Sequence, residues 1–252
     1  MAKTKKSNSD TQPKNNEIDI KTNSSESNLD EIMSSVESIQ GCTQAMFSYG
    51  LVESLAMEDI EQRILYIDGT IDSSIFREIN AFIIKFNAAD VGIPTEARIP
   101  IKIVISSRGG VVLDGLGTIE CIKNSETPVI AICTSYACSM AFYIFASAHY
   151  RFATSNAAFL NHDGSMYIDD SMSKVEDTIV FHKRITERLN KMLTLRSKYT
   201  AKELEDTKRI ESWIFGDEAK DLGIVDGIIG EDISFEDIFG VSEKCSCGEC
   251  DG

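Results

Sequence analysis

Histidine is scarce in this sequence of 252 residues: there are three, His149, His162 and His182. Any chemistry that needs an imidazole at neutral pH must use one of them. Basic residues are outnumbered, 25 Lys and Arg against 40 Asp and Glu, for a formal net charge of -15. That balance argues against a general surface for nucleic acid or an anionic membrane. No uninterrupted apolar run reaches the roughly 18 residues of a spanning helix. The start, Met1-Ala2-Lys3-Thr4-Lys5-Lys6, runs into Ser, Asn and Asp rather than the apolar stretch of a secretory signal. These absences point to a reducing, cytoplasmic compartment, with no membrane and no nucleic acid as partner.

A pair of clean CxxC units is also missing. Cys245, Cys247 and Cys250 stand close together in a polar tail, and a four-ligand structural metal site would need a further ligand such as Cys42 or a second subunit. A solvated tail with free thiols is the favoured reading, so no metal and no cofactor is expected. Cys121, Cys133 and Cys138 lie in apolar surroundings and read as buried thiols.

What is present is globular: 42% hydrophobic and 26% charged residues. Residues 1–44 are polar and nearly free of aromatics, which predicts a disordered extension. Residues 45–235 form the expected domain and 236–252 an acidic, Cys-containing tail. Strands are expected at 63–69, 100–106, 128–133, 159–160 and 224–229. Helices are expected at 73–87, 111–123, 139–148, 172–199, from 201, and around 217–222. Strands alternating with helices make the fold α/β with crossover units, and the continuous apolar strands suggest a sheet covered on both faces.

The most informative stretch is Ala137-Cys138-Ser139-Met140-Ala141. It puts a serine where an apolar strand hands over to an apolar helix. A serine hydroxyl needs a base to become a nucleophile, and an oxyanion needs fixed N–H donors. His149, after the apolar helix, reads as a surface or capping residue. His182, among charged neighbours, reads as solvated. His162 follows a short strand and precedes a turn, where catalytic groups concentrate. Gly109-Gly110 follows a strand and opens a helix; on the glycines alone, a tight turn is the favoured reading. Cys138 as nucleophile is a weak alternative, since it would point about 100° away from Ser139 in helical geometry.

Taken together, these motifs resemble the ClpP family, the serine proteases that form the chamber of ATP-dependent protease machines. Ser106-Ser107-Arg108-Gly109-Gly110 is similar to the family's N-S-P-G-G loop, and Tyr136-Ala137-Cys138-Ser139-Met140-Ala141 to its Q-A-A-S-M-G nucleophile segment. Arg151-Phe152-Ala153, Asn156 and His162 resemble R-F-A-x-P-N-S…H, and Glu187-Arg188-Leu189-Asn190 matches E-R-L-N of the long handle helix. Asp206-Thr207, Glu218-Ala219 and Leu222-Gly223-Ile224-Val225-Asp226 resemble the segments that close the domain. The resemblance runs from about Arg63 to Ile229. It implies a crotonase/ClpP-like fold of repeated β-β-α units with a long protruding handle helix, here 172–199.

The resemblance also implies roles: Ser139 the nucleophile, His162 the general base, Gly109 and Met140 the oxyanion N–H donors. The third triad member falls on Glu211 when counted back from Glu218-Ala219. It falls on the apolar Ile210 when counted forward from Asp206-Thr207. Glu211 is therefore taken, with Asp206 as the alternative. The implied partners are a homo-oligomeric ring, stacked in pairs, an AAA+ unfoldase of ClpX or ClpA type, and protein or peptide substrates. Several positions depart from the family pattern. Arg108 replaces a proline, Ala141 a glycine, and Asp163 to Asp170 stands where Q-P-x-G-G is expected, resembling the start of the strand that lines the peptide groove. These departures keep two alternatives open: an impaired structural subunit of a mixed ring, and a protease working without an unfoldase, for example in shell maturation.

Overall fold

The computed structural model describes residues 50–208 and 211–240. The extension at 1–44, Cys42 and the three tail cysteines lie outside the described residues. The fold below is that of the compact unit that begins at Leu55, together with the start of the helix that leads into it.

An opening helix, α1 (Leu51–Glu61), precedes β1 (Ile64–Ile67). A π-helical turn, Phe76–Asn80, leads into α2 (Ala81–Ala89). Then come β2 (Ile101–Ser107), α3 (Val112–Lys123), β3 (Val129–Cys138) and α4 (Met140–Ser147). The chain continues through β4 (Tyr150–Ala153), β5 (Ala158–Asn161), α5 (Met172–Arg196) and α6 (Ala201–Lys208). It closes with β6 (Ser212–Phe215), α7 (Gly216–Asp221), β7 (Gly227–Ile228) and α8 (Phe235–Phe239).

Strand order is β1-β2-β3-β4-β7, all parallel, with β5 pairing the far end of β3 and β6 antiparallel to β5. The strands are near-continuous runs of Ile and Val because helices and loops cover the sheet on both sides. Helix α4 is buried over all eight residues. A helix apolar all round belongs at the centre of a fold. Phe142 and Phe145 of α4 meet Phe159 of β5 at ring separations of 6.1 and 4.9 Å. Gly115 lets α3 approach α4, since a side chain there would overlap Met140.

Four strand readings differ from the sequence expectation. Strand β3 runs on to Cys138, well past 133: its first half pairs with β4 and its end with β5. Strand β4 escapes a pattern search because Arg151 sits in its middle. Arg151 is buried there because Asp226 takes its Nε and Nη2 at 3.0 and 2.6 Å. Strand β6 is four residues long and exists through its long-range pairing with β5. The strand expected over 224–229 shortens to two residues. Helix α8 spans the domain boundary expected at 235/236, and Ile238 packs with Ile132 and Ile229.

Helix α5, of 25 residues, is about 37 Å long at 1.5 Å per residue. Its buried residues, Ile185, Leu189 and Leu193, all lie in the second half. The first half, with Met172, Val180 and Phe181 exposed, stands off the core.

Candidate active site

Strand β3 ends at Cys138 and α4 begins at Met140, leaving Ser139 as the hinge between them. Its backbone has φ +53 and ψ -123, a conformation an L-residue holds only when its surroundings enforce it. The enforcement is visible: Ser139 N–H donates to Leu160 O on β5 at 2.8 Å, and Ser139 O accepts from Phe142 and Tyr143 in α4. A sharp strand-to-helix turn of this kind lifts a side chain out of the sheet, as nucleophile elbows do.

Gly109 presses against this hinge. A Cβ on Gly109 would lie 2.7 Å from Cys138 O, 2.8 Å from Ser139 Cβ and 2.9 Å from Met140 N. Only glycine permits that approach, and φ +94 adds the same requirement. The N–H group of Gly109, the expected oxyanion donor, is otherwise engaged: it donates to Ser107 Oγ at 3.1 Å. Ser107 Oγ in turn donates to Gly69 O. Gly110 N–H makes no hydrogen bond among the described residues, and neither does Met140 N–H. Of the two adjacent glycine amides, the second is therefore the unengaged one. The reason is the buried Ser107 hydroxyl, which captures the first glycine amide and leaves the second unengaged.

Ser139, Met140 and His162 line one cavity of about 620 Å³. His162 follows β5 directly, so the same strand that anchors Ser139 N–H also carries the imidazole. His162 Nδ1 lies 3.7 Å from Glu211 Oε1, within ion-pair reach though longer than a hydrogen bond. Glu211 itself has φ +49 and is exposed, as the first residue before β6, which pairs with β5. Asp206 is exposed on α6, and no ion pair joins it to His162. Cys138 is buried and does not line the cavity; burial pushes its thiol up, against the lowering effect of Arg108.

The Clp protease family model matches residues 53–232. The chain belongs to the Clp protease family. The match covers well over half of the sequence and includes both flanks of the cavity.

Three features of this Clp protease member were not legible in its sequence. His182, expected in solvent, is half-buried and lines the Ser139 cavity from α5. Asn161, next to His162, is buried and accepts from Tyr143 Oη at 3.0 Å, which ties β5 to α4 behind the imidazole. Burial pushes the Tyr143 phenol well above its ordinary value, so it remains a donor throughout the neutral range. The helical period of α5 was the signal that could have placed His182 beside the cavity. His149 does act as a capping residue: its Nδ1 accepts from Val129 N–H at 3.0 Å at the start of β3. Residues 163–170 form no strand, and Tyr167 stands almost fully exposed.

Proposed function

We propose that the chain is a serine endopeptidase of the ClpP type. The observation that carries this reading is Ser139 held at φ +53 in one cavity with His162, whose Nδ1 faces Glu211 at 3.7 Å. Ser139 Oγ attacks the peptide carbonyl while His162 Nε2 takes the hydroxyl proton. The carbonyl oxygen becomes the oxyanion, and the N–H groups of Gly110 and Met140 stabilise it. The C–N bond then breaks, the departing amine takes the proton from His162, and an acyl-enzyme remains on Ser139. Water, deprotonated by the same imidazole, releases the acid and restores the hydroxyl. Glu211 holds the imidazole tautomer that keeps Nε2 free to accept; apo hydrogen bonds of this kind are often long and shorten when substrate binds.

Membership of the family supports a ring of such chains enclosing the sites, with an AAA+ unfoldase delivering extended polypeptide. The first half of α5, standing off the core, is the element suited to join two rings. A fluorophosphonate probe tests the chemistry. Labelling of the wild type that disappears in Ser139→Ala is expected, together with a loss of peptide cleavage of about 10³-fold or more. An assembled protein that the probe does not label would overturn the reading.

A further inference from the structure

Ser139 and His162 belong to different elements, so a proton passes between them only if α4 and β5 keep a fixed spacing. Ser139 caps the start of α4, and His162 lies one residue past the end of β5. Hydrogen bonds tie the two elements there. Ser139 N–H donates to Leu160 O at 2.8 Å, and Tyr143 Oη donates to Asn161 Oδ1 at 3.0 Å. Tyr143 N–H in turn donates to Ser139 O at 3.3 Å. Ser139, Tyr143, Asn161 and Leu160 thus close a ring of contacts, and Asn161 is its last member before His162. Beyond His162, residues 163–170 form neither helix nor strand. The imidazole is therefore placed from the Asn161 side.

Stability does not account for the Tyr143–Asn161 pair. The two residues are 5% and 7% exposed, and the Asn161 Nδ2 atom is buried with no hydrogen bond among the described residues. A buried donor left unpaired is a cost, whereas replacing both partners by apolar groups of similar shape is near neutral or stabilising. A buried polar group that costs stability is expected where function requires it. Tyr143 also lines the cavity that holds Ser139 and His162.

We propose that Tyr143 and Asn161 are positioning residues for the proton transfer: their hydrogen bond fixes the spacing between Ser139 Oγ and the His162 imidazole. The inference rests on Ser139 being the nucleophile and His162 its base. Apolar side chains of the same size would fill the space, but their contact has no preferred direction and lets α4 slide against β5. A hydrogen bond has a preferred length and angle, so it holds the two elements in one register.

The test uses the assembled protein. Tyr143→Phe, Asn161→Leu and the double variant are compared with the wild type in denaturant unfolding, in the rate of fluorophosphonate labelling of Ser139 and in peptide cleavage. Tyr143→Phe is expected to unfold at lower denaturant, because it strands Asn161 Oδ1. The double variant, with an apolar pair, returns to at least the wild-type midpoint. Labelling rate and kcat fall about 10-fold or more in all three, with KM unchanged, as a small misplacement of reacting atoms dictates. Stability and activity therefore part in the double variant. Activity that recovers there together with stability makes the pair structural, and wild-type kcat in all three removes it from the reaction. Either result overturns the positioning role, as does a double variant less stable than the wild type, while labelling of the wild type keeps Ser139 in place. A wild type that the probe does not label overturns the nucleophile, and the positioning role with it.

Discussion

Gly109 shows how much of the chemistry depends on single positions. Any side chain there would meet the Cys138 carbonyl at 2.7 Å, so the hinge carrying Ser139 would have to shift. Gly109→Ala is expected to lower kcat/KM about 100-fold, the effect of a displacement near 1 Å at a reacting atom, with the protein still folded by circular dichroism. Wild-type kinetics in this variant would mean that the glycine serves the turn alone. At the proposed acid position, Glu211→Gln should reduce kcat by about 100-fold or more, whereas Asp206→Asn should be near neutral; the reverse order would move the role to Asp206. His149 sets a pH dependence of stability. Burial, and then Arg196, hold its pKa below the ordinary value near 6.5. The unfolded chain therefore binds this proton more readily than the folded one, and stability falls as pH drops through about 6.5. His149→Gln should flatten thermal stability between pH 7 and 5; an unchanged slope would show that other groups set it.

The elements are pinned by a few buried polar contacts. Asp90, at the end of α2, accepts from Arg63 Nη1 and Nη2 at 2.6 and 2.7 Å and from Thr127 Oγ1 at 2.7 Å. This one carboxylate fastens α2 to the residues just before β1 and β3. The Arg63 hydrogen bonds hold its pKa below the usual carboxylate range. Its contribution is therefore complete above the ordinary Asp value of about 3.9 and is lost as pH falls through the lower folded value. Asp90→Ala leaves the Arg63 guanidinium poorly paired, and a loss of about 3–5 kcal/mol is expected in denaturant unfolding at neutral pH; a loss under about 1 kcal/mol would show that water replaces the carboxylate. Element positions were largely readable in the sequence, because β1, β2, the start of β3, α3 and α4 are uniformly apolar or periodic. Strands β4 and β6 were not. The first depends on Asp226, 75 residues from Arg151, to bury a charge, and the second on a partner strand over 50 residues away.

The whole molecule carries a net charge of -15, yet it leaves large apolar side chains exposed on the outer half of α5, among them Met172, Val180 and Phe181. A patch of this kind on a projecting helix is suited to contact between copies. In sedimentation velocity the wild type is expected to run as an assembly larger than one chain. Val180→Asp with Phe181→Asp should give a smaller particle with an unchanged circular dichroism spectrum. An assembly of undiminished mass would remove α5 from the contact. No helix among the described residues is long and apolar enough to cross a membrane.

Local sequence determined the α/β class, the order of the motifs and the placing of Ser139 at a strand-to-helix junction, because these follow from hydrophobic period and from short-range turn chemistry. It also made His162 a candidate, by where the residue falls after a strand, and the resemblance to the ClpP family implied its role as base. The tertiary structure decided which glycine amide is unengaged, since the Ser107 hydroxyl competes for the first one through a buried contact that no local pattern encodes. It decided that Glu211 lies beside His162 while Asp206 does not, because antiparallel pairing of β6 with β5 brings the start of one strand to the end of the other. And it decided that His182 faces the cavity, which depends on how the inner half of α5 is seated by Ile185, Leu189 and Leu193 on the core.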